Sequence, residues 1–105
     1  MFKILKNLLG GTNDSQLTEF LKNGAVMVDV RSVGEYSASH VKGSINIPLD
    51  KLSNQLGKLK KDKPVVVFCA SGMRSASAKG ILQRNGFSVI NGGSWKNVQS
   101  CVENI

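Results

Sequence analysis

Four short runs of apolar, largely β-branched residues alternate along this chain with stretches of helical periodicity, and that alternation restricts the fold more than any other feature. The runs are Ala25-Val26-Met27-Val28-Asp29-Val30, Ser44-Ile45-Asn46-Ile47, Pro64-Val65-Val66-Val67-Phe68 and Phe87-Ser88-Val89-Ile90. A short, nearly unbroken apolar run is what a strand buried on both faces requires, as in a parallel sheet. Between the runs lie the helical signals. Asp14 or Ser15 caps a helix carrying Leu17, Phe20 and Leu21 and ending near Gly24, and Ser32 with Glu35 forms a capping box. Leu49, Leu52, Leu56 and Leu59 mark an amphipathic helix with a break near Gly57. Residues 75–85 offer Ala76, Ala78, Ile81 and Leu82 for packing, with Gly86 as the C-terminal stop. A last helix starts at Trp95, with Val98, Cys101, Val102 and Ile105 on one face. The expected fold class is α/β, with a central, mainly parallel sheet of about four to five strands flanked by helices.

A chain of 105 residues has room for one such domain, expected over 14–105. Residues 1–13 are expected to be an N-terminal extension, with Phe2, Leu5, Leu8 and Leu9 spaced as a short helix before Gly10-Gly11. That stretch is interrupted by Lys6 and is too short to span a bilayer, so no stable membrane insertion is expected. The two cysteines, Cys69 and Cys101, form neither a Cys-x-x-Cys pair nor a zinc-ligand spacing, and His40 is the only histidine. A cytoplasmic monomer with reduced thiols and no metal is the expectation. The net charge of +7 favours anionic partners, but only Lys58, Lys60, Lys61 and Lys63 are clustered, in a loop before a strand. A small anionic substrate fits that balance, and nucleic acid is not expected.

Chemistry concentrates where the most apolar run ends. Ligands of open parallel sheets bind beyond the carboxyl ends of the strands, and Cys69 stands at that place. Cys69-Ala70-Ser71-Gly72-Met73-Arg74-Ser75 then leads straight into a helix. A tight loop entering a helix turns backbone N–H groups inward and makes an anion nest, which lowers a thiol pKa and stabilises a terminal persulfide. Gly72 permits the turn, and Arg74 adds a positive charge, directed either at the substrate or at a carboxylate that holds the loop. Taken singly, each residue also has a bland reading: a buried thiol at a strand end and an arginine that merely starts a helix.

The segment from Cys69 to Ser75 resembles the active-site loop of rhodanese domains. The likeness extends from about Asp14 to Trp95, through Val28-Asp29-Val30-Arg31, the stretch from Glu35 through His40, Gly43 and Asn46 to Pro48, and Gly92-Gly93-Ser94-Trp95, in the family's order. Tyrosine phosphatases and their kin separate cysteine and arginine by one residue more. Here four residues, Ala70 to Met73, intervene and Phe68 precedes the cysteine, so the smaller nest suits a sulfur atom better than a phosphoryl group.

The resemblance implies a sulfurtransferase without a cofactor. Cys69 would carry sulfane sulfur from thiosulfate, polysulfide or a persulfide donor to cyanide, glutathione or another thiol. Ala70, Ser71, Gly72, Met73, Arg74 and Ser75 would bind the anion, and Ala70, Ser71 and Met73 would line the entrance. A sulfur-relay protein is a further conceivable partner. Asp29 is expected to support the loop, through Arg74 or through backbone N–H groups. Arg31 either attracts anions or pairs with Glu35. The resemblance makes His40 structural rather than a general base, while the apolar stripe around Cys101 favours a core thiol over a sulfur acceptor. Two rivals stay open: a non-catalytic binding module or persulfide carrier, and, further off, a cysteine-based phosphatase or arsenate reductase.

Overall fold

The computed structural model describes residues 14–105. The helix expected within residues 1–13 lies outside the described residues. Helix α1 (Asp14–Lys22) is followed by β1 (Val26–Asp29), α2 (Val33–Ala38), β2 (Ile45–Asn46), a short α3 (Leu49–Leu52) and a 3-10 turn at Leu56–Lys58. Then come β3 (Val65–Cys69), α4 (Met73–Arg84), β4 (Val89–Ser94) and α5 (Trp95–Glu103). The four strands form one sheet in the order β2-β1-β3-β4, and every neighbouring pair is parallel.

Because side chains alternate across a strand, the sheet feeds two cores. Val28, Val30, Val65, Val67 and Cys69 pack with Leu52, Ala78 and Leu82 under α3 and α4. Val66, Phe68 and Ile90 pack with Leu17 and Val98 under α1 and α5. All five residues of β3 are buried, which explains why that run is the most apolar in the sequence. The Ser32–Glu35 capping box opens α2 as the spacing predicts, with the Glu35 N–H donating to Ser32 Oγ at 3.2 Å.

Three elements differ from the sequence reading. The leucine-marked helix is split: after Leu52 the chain tightens into i→i+3 bonds, Asn54 N–H to the Lys51 carbonyl and Gln55 N–H to the Leu52 carbonyl. Ser53 and Asn54 are poor helix-interior residues, yet Leu49, Leu52, Leu56 and Leu59 all still reach the core under α3. Ile105 lies beyond the end of α5 and is 55% exposed, so the apolar stripe leaves the core there.

The third difference lies beside the site. Gly92-Gly93 looks like the end of the last strand, but β4 runs through both glycines to Ser94. Its pairing with β3 slips by one residue, from Val67 opposite Asn91 to Phe68 opposite Gly93, so Gly92 is the extra residue of a bulge. A Cβ on Gly92 would stand 2.7 Å from Val98 Cγ2 and 2.9 Å from Val66 Cγ1, so packing excludes any side chain there. Gly92→Ala is therefore expected to destabilise the domain by roughly 1–3 kcal/mol, read as a lower urea midpoint at unchanged slope. An unaltered midpoint would refute the packing account.

Candidate active site

The end of β3 delivers Cys69 to the loop that opens α4. The side chain is buried, and its Sγ accepts the Gly72 N–H at 3.0 Å. Gly72 caps α4 with φ of 99°, a left-handed conformation that favours glycine, and its carbonyl accepts the Ala76 N–H to close the first helical turn. Burial pushes the Cys69 thiol up. The Ser75 hydroxyl, together with the N–H groups of Ser75, Ser71 and Gly72, outweighs burial and leaves the thiol below its ordinary value. These N–H groups belong to the loop and first turn of a twelve-residue helix, whose dipole acts in the same direction.

Behind the sulfur lies a polar cluster. Ser75 Oγ is 3.5 Å from Sγ and donates to Asn91 Oδ1 at 2.7 Å. Asn91 Oδ1 also accepts the Gly93 N–H at 2.9 Å, and Asn91 Nδ2 donates to the Gly72 carbonyl at 3.0 Å. Ser75 and Asn91 are both buried. Asn91 was not legible as a site residue; the only hint is a polar side chain interrupting an apolar strand just before two glycines.

The charged residues pair differently from the sequence expectation. Asp29 makes no ion pair with Arg74, although its charge helps to raise the Arg74 pKa, and Arg31 does not pair with Glu35. Arg31 stands two residues beyond Asp29, which places both side chains on one side of an extended segment. The Arg31 guanidinium holds the Asp29 carboxylate through Nε at 3.0 and 2.9 Å and through Nη2 at 2.8 Å. Arg31 Nη2 also donates to the Ser39 carbonyl at 2.7 Å, and the guanidinium lies 4.9 Å from the Trp95 ring centroid. The pair is buried, and Asp29 fastens the chain after β1 rather than the cysteine loop.

Arg74 makes a two-pronged ion pair with Glu35, at 2.7 and 3.0 Å, with both side chains more than a third exposed. The fork ties the cysteine loop to α2. The Arg74 guanidinium, then the Ser32 N–H, hold Glu35 well below the usual carboxylate range, at about 2, against the opposing effect of burial. Glu35 in turn raises the Arg74 pKa, against burial. Ala70, Ser71 and Met73 are exposed beside the loop.

The remaining candidates sit apart from the sulfur. His40 is exposed and stacks on Tyr36 with ring centroids 3.9 Å apart, its Nδ1 2.8 Å from the Tyr36 carbonyl oxygen. Asn46 Nδ2 donates to the Asp29 and Arg31 carbonyls, each at 3.0 Å. Cys101 belongs to the core across the sheet from Cys69, with Sγ 3.3 Å from Thr18 Oγ1, and both thiols are free.

Comparison with known proteins identifies the family. The sequence model of the rhodanese-like domain matches residues 13–100. The chain is 38% identical over 74 residues to the thiosulfate sulfurtransferase PspE of Escherichia coli, covering 68% of this chain and 71% of that one. It is 36% identical over 67 residues to the thiosulfate sulfurtransferase GlpE of Pseudomonas savastanoi, covering 64% of this chain. It spans 63% of the length of that relative and 52% of a matched protein from Bacillus subtilis. A crystal structure of a rhodanese-related protein from Thermoplasma volcanium superimposes with a TM-score of 0.71 at 33% identity, covering 90% of this chain and 91% of that one.

Two measurements check the electrostatics. Thiol alkylation follows the thiolate, so the pH midpoint for Cys69 is expected below that of an ordinary cysteine and should rise in Ser75→Ala; an unchanged midpoint would exclude the hydroxyl. Glu35 has a depressed pKa in the folded state, so its contribution is present above about pH 4.5 and is lost as pH falls through about 2. For an exposed pair this is at most about 1 kcal/mol. The stability gap between native protein and Glu35→Gln should thus close in acid, and a gap that persists at pH 2 would contradict it.

Proposed function

The chain belongs to the rhodanese-like domain family, and from that premise we propose that it is a sulfurtransferase whose nucleophile and sulfur carrier is Cys69. The observation that carries the reading is Cys69 Sγ at the carboxyl end of β3, receiving the Gly72 N–H at 3.0 Å in the N-terminal turn of α4. A thiol held there is biased toward the thiolate, and the loop's N–H groups favour negative charge beside it.

The reaction takes two displacements. The Cys69 thiolate attacks the outer sulfur of the donor; a new S–S bond forms as the donor's bond to that sulfur breaks, and the electron pair leaves with the donor remainder. With thiosulfate the remainder is sulfite, and with a persulfide it is a thiolate. Charge now rests on the outer sulfur of the Cys69 persulfide, among the N–H groups of residues 70–75. A nucleophilic acceptor, cyanide or a thiolate, then takes the outer sulfur, and the bonding pair returns to Cys69 Sγ. The scheme uses no metal or organic cofactor. Ala70, Ser71 and Met73 border the approach, while Gly72 and Ser75 contact the reacting sulfur.

Arg74 serves this scheme chiefly by holding the loop, because Glu35 already occupies its guanidinium. The loop itself carries no second basic residue. A polysulfide or persulfide donor therefore suits the site as well as dianionic thiosulfate does. A cytoplasmic setting fits two free thiols. One observation favours a second reading, a persulfide carrier emptied only by a fitting protein: Cys69 has 0% exposure in the resting state.

Intact mass after treatment with thiosulfate or polysulfide separates these readings. One added sulfur is expected on the native protein and none on Cys69→Ser, with cyanide restoring the original mass. Loading that cyanide or glutathione cannot reverse supports the carrier, and no loading of reduced native protein by either donor defeats both.

A further inference from the structure

We propose that Asn91 is a positioning residue for this chemistry: it accepts the hydrogen bond of the Ser75 hydroxyl while Cys69 Sγ is neutral and releases that hydroxyl to donate to the sulfur when Sγ is an anion. The proposal rests on the sulfur-carrying reading of Cys69 and adds a part of the site that the cysteine loop does not contain. The orientation of the Asn91 amide is fixed by two backbone groups. The Gly93 N–H can only donate, at 2.9 Å, and the Gly72 carbonyl can only accept, at 3.0 Å. The atom facing Ser75 is therefore the amide oxygen, which carries no proton. At 2.7 Å the proton between Ser75 Oγ and Asn91 Oδ1 must be the serine's own.

This has a consequence for the sulfur. With its proton committed to Asn91, the hydroxyl offers only a lone pair toward Sγ, 3.5 Å away, which suits a thiol S–H. An anionic Sγ requires the opposite sense, and rotation of the O–H bond supplies it without moving a heavy atom. Asn91 Oδ1 keeps the Gly93 N–H through that rotation, so no buried acceptor is stranded. The Gly72 N–H stays on the sulfur in both states.

In the persulfide the charge sits on the outer sulfur and Sγ is its neutral inner atom, so the hydroxyl returns to Asn91. The asparagine thus stabilises the protonated and the loaded forms relative to the free thiolate. The charged groups around the site are Arg74 on α4, paired with Glu35 of α2, and Asp29 with Arg31 beyond β1. Their mutual bonds do not involve the Ser75 proton.

The test is the pH midpoint of Cys69 alkylation by iodoacetamide, in a Cys101→Ser background so that one thiol reports. Asn91→Ala is compared with the unmodified position, both with Ser75 present and in Ser75→Ala. Loss of the Gly72 tether acts equally in the two settings and cancels. The remaining difference is expected to be a downward shift of about half to one pH unit that requires Ser75. Equal shifts in both settings would overturn the proposal. Should Asn91→Ala fail to fold, the Gly93 amide proton resonance replaces it. With Asn91 intact, that resonance should move with the Cys69 midpoint, and the movement should collapse in Ser75→Ala; a movement independent of Ser75 would overturn the proposal. Neither readout uses a sulfur donor, so failure of sulfur transfer and failure of this hydrogen-bond switch are seen separately.

Discussion

Strand β3 is hydrogen-bonded in parallel to β1 on one side and β4 on the other, and every side chain from Val65 to Cys69 is buried. That double pairing governs both the site and the two cores. It fixes the direction in which the strand leaves the sheet, and so fixes where Cys69 meets the loop that opens α4. It also assigns alternate side chains to opposite cores, so the same alternation that sends Val66 and Phe68 toward α1 and α5 sends Val65, Val67 and Cys69 toward α3 and α4. The cysteine is a member of the hydrophobic core on its strand side and of a polar loop on its helix side. Burial alone would raise its pKa; the Ser75 hydroxyl and the backbone N–H groups outweigh burial and lower it.

The two arginines of the region work in different dielectric settings, and the difference decides their roles. Arg31 is buried with Asp29, and its bonds to the carboxylate and to the Ser39 carbonyl satisfy groups that would be costly to leave unpaired. That arrangement is architectural. Arg74 and Glu35 meet where water screens them, so their fork contributes little to stability. Its geometric effect is larger, because it joins the first turn of α4 to α2 across the mouth of the cysteine loop.

Placement of the polar cluster behind the sulfur follows from the register of β4 on β3. Asn91 pairs with Val67 ahead of the bulge and reaches Gly72 and Ser75; past the slip at Gly92 the strand continues to Ser94, which caps α5. Among the described residues no buried side-chain nitrogen or oxygen lacks a hydrogen-bond partner. A fully satisfied cluster of this kind is rigid except for the hydroxyl rotor of Ser75.

Much was legible in the residues themselves. Apolar runs and helical spacing foretold a parallel α/β sheet, because burial on both faces leaves its mark on composition. The order strand, cysteine, glycine-containing loop, arginine, helix foretold a strand end that turns through Gly72 into a helix, because those are local requirements of backbone geometry. The resemblance to rhodanese domains foretold the family. The partners of Arg31 and Arg74, the passage of β4 through Gly92-Gly93, the separation of Cys101 from Cys69 by the sheet, and the place of Asn91 were not legible. Each depends on segments distant in sequence meeting with a particular register, as Arg74 meets Glu35 and Asn91 meets Gly72. Local patterning determined what the elements are and where Cys69 stands; only packing, by setting register, decided which polar groups surround it.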